Sequence, residues 1–316
     1  MGPYLTRMMY DALAKGAAAQ NARIKSALQS RAKPADIEKL QSPDELANTV
    51  NAQFSAALFV IENLDRVVTS STTATRYPAC ITGYKPFVGV RKNVDVSINP
   101  IRAWNCATIK AFGVWMGDDK IGHFEDMGKH YYDTYREQLR KGVGEEKAVR
   151  AAIAIGTDGP IYSEKGFLGW ASCGDYSNAD LVANYMGFLF YKNLTSPVML
   201  KGVERPPLFV RDGQYFKLAP HVRPDSDFFS WYVSDHLNEA LNPGSYLVTV
   251  RGGIRRAIVE FRKDNLPRYA DANGNPRSPE WFNAKVEQLR TYWPKRSTHG
   301  HCCGYMLLPT TCRWKR

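Results

Sequence analysis

The sequence predicts a mainly α fold, a multi-helix single core with a small irregular β/loop segment. Three observations predict it. Apolar residues recur at helical spacing through most of the 316 residues. Several of these runs open on a capping residue followed by proline or an acid. Only residues 77–100 alternate in short pieces between Gly and Pro, the mark of loop with a little strand. At 44% hydrophobic and 23% charged, the composition is globular, and the chain is long enough to bury a sizeable core.

In chain order, residues 4–31 read as an Ala-rich helix with scattered Lys and Arg. Ser42-Pro43-Asp44-Glu45 opens the next helix, with Ser42 as N-cap and Pro43 at the first helical position. Leu46, Val50, Phe54, Leu58 and Ile61 share its apolar face. The polar run 69–75 separates an N-terminal helical segment, 1–70, from a mainly helical catalytic domain, 71–316. Further helices are expected at 101–116, 119–141, 145–156, 177–192, 226–241, 252–263 and 279–293. No run of 18 apolar residues occurs, so no transmembrane segment is expected. The N-terminus lacks the apolar core of a signal peptide; a removed signal, another export route and a cytosolic location all stay open.

The net charge of +11 is uneven, because residues 201–316 hold 19 Lys and Arg against 11 Asp and Glu. That basic C-terminal part suits contact with an anionic polymer, although a solvated surface accounts for it equally well. None of the six cysteines lies in a CxxC pair, which disfavours a structural zinc knuckle. Disulfides among Cys302, Cys303 and Cys312 in an oxidising compartment, or plain buried thiols, remain the alternatives.

The chemistry-bearing residues concentrate between 117 and 187. On a helix, Asp119, His123, Asp126 and His130 fall in one stripe, opposite Ile121, Phe124, Tyr131, Tyr132 and Tyr135. A solvated face would show the same stripe. A carboxylate four residues before a histidine also permits an Asp–His pair or metal ligation. The helix from Ser177 is apolar nearly all round except for Ser177, Asp180, Asn184 and Gly187. It is therefore buried, and Asp180 requires a cation, a donor or a metal. A cap by Ser177 explains Asp180 but leaves Asn184 unexplained. Glu164 sits in a Gly-rich loop with Tyr162, Phe167 and Trp170, a setting that suits a general acid; the competing reading is an exposed loop carboxylate. His236 and Glu239 are spaced i, i+3 on the expected helix 226–241, as an acid–base or ligand pair or as a surface cluster. His299 and His301 belong to a terminal cluster with Cys302 and Cys303.

The ordered set Asp119-Lys120-x-x-His123-Phe124, then Glu164, then Ser177-x-x-Asp180-Leu-x-Ala-Asn184-x-x-Gly187 resembles the pattern of VanZ-like proteins. Small bacterial envelope proteins with an Asp-Lys-x-x-His motif share that pattern. The resemblance is confined to residues 119–187. VanZ-like proteins are membrane-embedded, whereas this sequence shows no spanning stretch. The family's glutamine three residues after the Glu is Phe167 here, and only Lys165 supplies a basic residue between Glu164 and Ser177. The resemblance implies a helical core where Asp119, His123, Glu164, Asp180 and Asn184 converge. It also implies association with the envelope, hence a periplasmic or secreted location.

No GxSxG, P-loop, GxGxxG or HExxH occurs, which disfavours serine hydrolase, NTPase, Rossmann and zincin chemistry. Two carboxylates among Asp119, Glu125, Glu164 and Asp180 can cleave a glycosidic bond as acid and base. Asn184, Ser177, Trp170, Glu125, His236 and Glu239 are then the substrate-binding candidates. The rival enzyme is a metal-dependent hydrolase built on His123 and Asp119, with a divalent metal as the open cofactor. The six histidines are scattered, so the carboxylate mechanism is preferred and no metal ligand set is assigned. An envelope polysaccharide such as peptidoglycan is the expected substrate, and a secreted antibacterial effector fits the same reading. A different class is a non-enzymatic nucleic-acid or anionic-polymer binder using Arg251, Arg255, Arg256, Arg262 and Arg268 with Tyr269, Trp281, Tyr292 and Trp293.

Overall fold

The computed structural model describes residues 1–54, 108–117, 119–159, 163–166 and 175–237, with single positions 67, 70, 245, 246, 278, 280, 281 and 284. The fold is mainly α, and among the described residues the sheets beside the helices are two-stranded. In order come α1 (Gly2–Gln29), α2 (Pro34–Leu40), α3 (Pro43–Asn51), β1 (Thr108–Ala111) and β2 (Val114–Gly117). A continuous helical run follows as α4 (Asp119–Gly122), a π-turn (His123–Met127) and α5 (Gly128–Arg140). Then come α6 (Glu145–Asp158), β3 (Asp175–Tyr176), α7 (Asn178–Asn193), β4 (Val198–Leu200), β5 (Val203–Arg205), β6 (Phe209–Asp212), β7 (Tyr215–Leu218) and β8 (Ser245–Tyr246). Among the described residues no helix is long and apolar enough to cross a membrane.

Two compact units share the chain. The first comprises Met1–Asn63, Ile121–Ala152 and Asn184–Val233; the second comprises Leu64–Lys120, Ile153–Ala183 and Ser234–Arg316. In the first, α1 packs on α3, where Gly16 lets Val50 come so close that a Cβ would lie 2.7 Å from its Cα. Ser42 caps α3 by accepting the Glu45 N–H, as its sequence predicts. Asn21 of α1 pairs with the Phe216 backbone of β7 through both its amide oxygen and its amide nitrogen, at 2.9 and 2.8 Å. This replaces a ladder bond and fixes the β6–β7 hairpin to the helix. Phe124, Phe190, Phe229 and Tyr232 form the aromatic centre, with tilted and edge contacts between 5.3 and 6.1 Å.

In the second unit, β1 and β2 form a hairpin, and β3 pairs with β8. The hairpin replaces the described part of the helix expected at 101–116. Phe112 and Gly113 take φ of 51° and 82°, the positive values that match the twist of two antiparallel strands. Ile109, Ala111, Val114 and Met116 turn inward while Lys110 and Trp115 meet on the other face, a period of two.

The described part of the helix expected at 226–241, residues 226–237, is also corrected. Phe228–Tyr232 and Asp235–Leu237 are 3-10 turns, broken where Val233 becomes extended at φ −98°, ψ 124°. Phe228, Phe229, Trp231 and Tyr232 are all buried, more than one face of an α-helix would bury at this spacing. The hairpins β4–β5 and β6–β7 and helix α2 occupy stretches for which the sequence suggested no element. The segment 77–100, the expected helices 252–263 and 279–293 (apart from 280, 281 and 284), all six cysteines, His299, His301 and the basic residues from Arg251 to Arg268 lie outside the described residues.

Candidate functional site

A buried ammonium organises the site in the second unit. Asp119 opens α4, and Gly117 at the end of β2 makes room for its side chain: a Cβ there would fall 2.3 Å from Asp119 Oδ1. Both Asp119 oxygens accept from Lys120 Nζ at 3.1 Å. The same ammonium forms an ion pair with Asp180 Oδ1 on α7. Lys120 is 1% exposed, and Asp119 retains 24% side-chain exposure.

Glu164 arrives from the turn that follows α6. Its N–H donates to Gly156 O at 2.8 Å, and the Gly166 N–H donates to Ser163 Oγ at 2.9 Å. These bonds fold the turn back on the helix that precedes it. Glu164 is 1% exposed, and its Oε2 accepts the Ser177 N–H at 2.9 Å. Ser177 Oγ in turn accepts the Asp180 N–H at 3.1 Å. Ser177 thus caps α7 and holds Glu164 at the positive end of that helix, where a carboxylate is favoured. Glu164 and Asp180 each offer an oxygen within 4.8 Å of the other. Two carboxylates this close are disfavoured as a doubly ionised pair, and a shared proton or a cation relieves the repulsion.

In the first unit, the π-turn places His123 so that its Nδ1 lies 3.0 Å from Asn184 Oδ1. Asn184 Nδ2 reaches the Tyr131 hydroxyl at 3.5 Å. His123 follows Asp119 by one turn of its helical run, and Asn184 follows Asp180 by one turn of α7.

Of the residues predicted from sequence, Asp119, Glu164, Ser177 and Asp180 form one connected set, and His123 and Asn184 form another. Glu125 is placed differently from a substrate-binding residue. It is 2% exposed in the first unit, with neither carboxylate oxygen hydrogen-bonded. Burial pushes its carboxyl well above the usual range, and neighbouring Asp126 adds to the shift. His236 lies buried in a 3-10 turn, its Nδ1 3.2 Å from Ser234 Oγ. Glu239 and Trp170 lie outside the described residues.

Sequence reasoning missed Lys120 as a site residue. The signal was present, because a buried Asp180 demands a cation and Lys120 sits inside the same motif. Comparison with protein-family models, with curated proteins and with solved structures yields no match.

Proposed function

We propose that this chain is a hydrolase of a bacterial cell-envelope glycan, with Glu164 and Asp180 as its acid/base carboxylates. The observation that carries the reading is the approach of these two oxygens to within 4.8 Å. That upper limit lies just below the ~5–5.5 Å between the carboxyl groups of retaining glycosidases. Asp180, beside the Lys120 ammonium, is suited to the anionic role of attacking the anomeric carbon. Glu164 is suited to give its proton to the departing glycosidic oxygen and then to take one from the incoming water. Asp119, the partly exposed member, offers the edge where a sugar would enter. Burying one lysine with several carboxylates is costly, and apolar replacements are often no less stable, so keeping the charges favours a chemical role.

The glycan substrate and a periplasmic or secreted setting rest on the resemblance to VanZ-like proteins and on the net charge of +11. Incubating the full chain with peptidoglycan and other wall polysaccharides is expected to release new reducing ends. Glu164→Gln should abolish that release while the protein stays folded. No new reducing ends from any wall polymer, or undiminished release by Glu164→Gln, would overturn the reading. A second reading, metal-assisted hydrolysis, is favoured by the same two carboxylates, whose spacing suits a divalent ion. Metal-dependent release that EDTA stops would select it.

A further inference from the structure

We infer that Arg205, His221 and Trp231 of the first unit form a binding site for an oxyanion, a carboxylate or a phosphate group. Arg205 ends β5 opposite buried Val198, so its side chain leaves the hairpin on the inward face. There its guanidinium carbon lies 4.7 Å from the centre of the Trp231 ring. The His221 ring stacks on the same indole, with centroids 5.4 Å apart and planes inclined by 28°. One buried amide sets this geometry. Asn193, 0% exposed, donates from Nδ2 to the carbonyl of Pro206, next to Arg205, at 3.1 Å. Its Oδ1 accepts from the hydroxyl of Tyr232, next to Trp231, at 2.6 Å.

Both groups on the indole have a nitrogen with nothing to bind. Arg205 Nε and His221 Nε2 are enclosed and have no hydrogen-bond partner, a state that calls for an explanation. The two residues are otherwise half-buried, so solvent reaches the cluster beside these atoms. A guanidinium is always charged in proteins, and among the described residues no carboxylate pairs with Arg205. Neighbouring acids are turned or committed elsewhere. Glu204 stands on the other face of the hairpin opposite Met199, Asp225 pairs with Arg223 at 3.2 Å, and Asp227 is exposed. Stacking occupies the flat faces of a guanidinium and leaves its in-plane N–H edge, a fork that matches two oxygens of a carboxylate or phosphate. Burial holds the His221 imidazole below its ordinary range. Near pH 7 the ring is therefore neutral, and it offers an N–H without setting a second charge against Arg205. What the set lacks is an anionic acceptor, which an oxyanion supplies. The site shares no residue with the Glu164–Asp180 pair, so the inference does not rest on the hydrolase reading.

The test follows the Arg205 Nε–H and Trp231 indole N–H signals in ¹H–¹⁵N spectra of the full chain. Arg205→Lys and Trp231→Phe assign them. Sodium acetate or sodium phosphate is added at constant ionic strength, with sodium chloride as the control. Both signals are expected to move together along one saturable curve. Saturation by acetate alone assigns a carboxylate ligand, by phosphate alone a phosphate, and by both a general oxyanion site. Read on the Trp231 signal, Arg205→Gln should weaken binding by about tenfold or more, the worth of one charge-assisted bond. Arg205→Lys keeps the charge without the fork and should weaken it too. Signals that neither anion moves saturably beyond the chloride control would overturn the inference. So would wild-type affinity in folded Arg205→Gln or, if that variant does not fold, in Arg205→Lys.

Discussion

Gly187 of α7 meets Gly128 at the start of α5 backbone to backbone: a Cβ on Gly187 would lie 2.9 Å from Gly128 Cα and 1.9 Å from the carbonyl oxygen of Phe124. Neither neighbour is a flexible side chain, so nothing can step aside cheaply. The contact also falls against the π-turn, where an α-helix would place its carbonyls differently. Tyr191, one turn after Gly187, donates to the Glu125 carbonyl at 3.0 Å and so secures the same turn.

Gly187→Ala should therefore be costly even though Ala is the better helix former. Intrinsic propensity favours Ala by about 1 kcal/mol. Overpacking against backbone costs roughly 1–3 kcal/mol and at such short distances more. A net loss of stability is expected in thermal or urea unfolding. An alanine variant as stable as the wild type would mean that the two helices do not approach as described.

Glu125→Gln should stabilise the protein at neutral pH. The folded-state carboxyl is raised well above its unfolded value by burial, with Asp126 adding to it. Below the unfolded pKa, about 4.3, both states hold the proton and the group costs nothing extra. As pH rises above that value the unfolded chain ionises while the folded one does not. Stability then falls by about 1.4 kcal/mol per pH unit until the folded pKa is reached. Glutamine cannot ionise, so the advantage of Glu125→Gln should be near zero at pH 4 and grow toward pH 7. Melting temperatures of both proteins across that range decide it, and a difference independent of pH would contradict a buried neutral carboxyl.

How much of this was legible in the sequence follows from the period of each element. The stripe of α7 was readable because its helix is regular and its other faces are apolar. Every member of the stripe now has its counterpart: Ser177 with Glu164, Asp180 with Lys120, Asn184 with His123 and Gly187 with Gly128. The stripe Asp119, His123, Asp126, His130 was drawn with an unbroken 3.6-residue period, and the π-turn between His123 and Met127 breaks it. A π-turn depends on tertiary contacts such as the Gly187 approach, which no local pattern encodes. The hairpin 108–117 was misread because Phe112, which takes a positive φ, carries no turn signature. Glu125 reads with the catalytic carboxylates in the sequence because sequence cannot separate a buried carboxylate that accepts a hydrogen bond, as Glu164 does, from one whose oxygens accept none.

Gly117→Ala should damage the site more than the fold. The added methyl would collide with Asp119 Oδ1, and a side chain can rotate away where backbone cannot. Asp119 would then give up its two 3.1 Å bonds to Lys120. The expected result is a modest stability loss of about 1–2 kcal/mol with a larger fall in glycan release, read as kcat against KM. Full activity in a folded Gly117→Ala protein would remove Asp119 from the working set.

Lys120 separates a structural ion cluster from a chemical one. Lys120→Met alone leaves Asp180 buried without its cation, which typically costs about 3–5 kcal/mol. Lys120→Met combined with Asp180→Leu removes that pair and should recover part of the loss, because apolar replacement of a buried pair is often neutral while Asp119, which also gives both oxygens to Lys120, still loses its cation. Unfolding free energies of the wild type, the two single variants and the double variant close the cycle. A double variant that recovers stability but releases no sugar is the expected outcome, since Asp180 would then be needed for the reaction and not for the fold. A stable double variant with wild-type release would show that the pair only holds α4 and α7 together, and the carboxylate mechanism would fall with it.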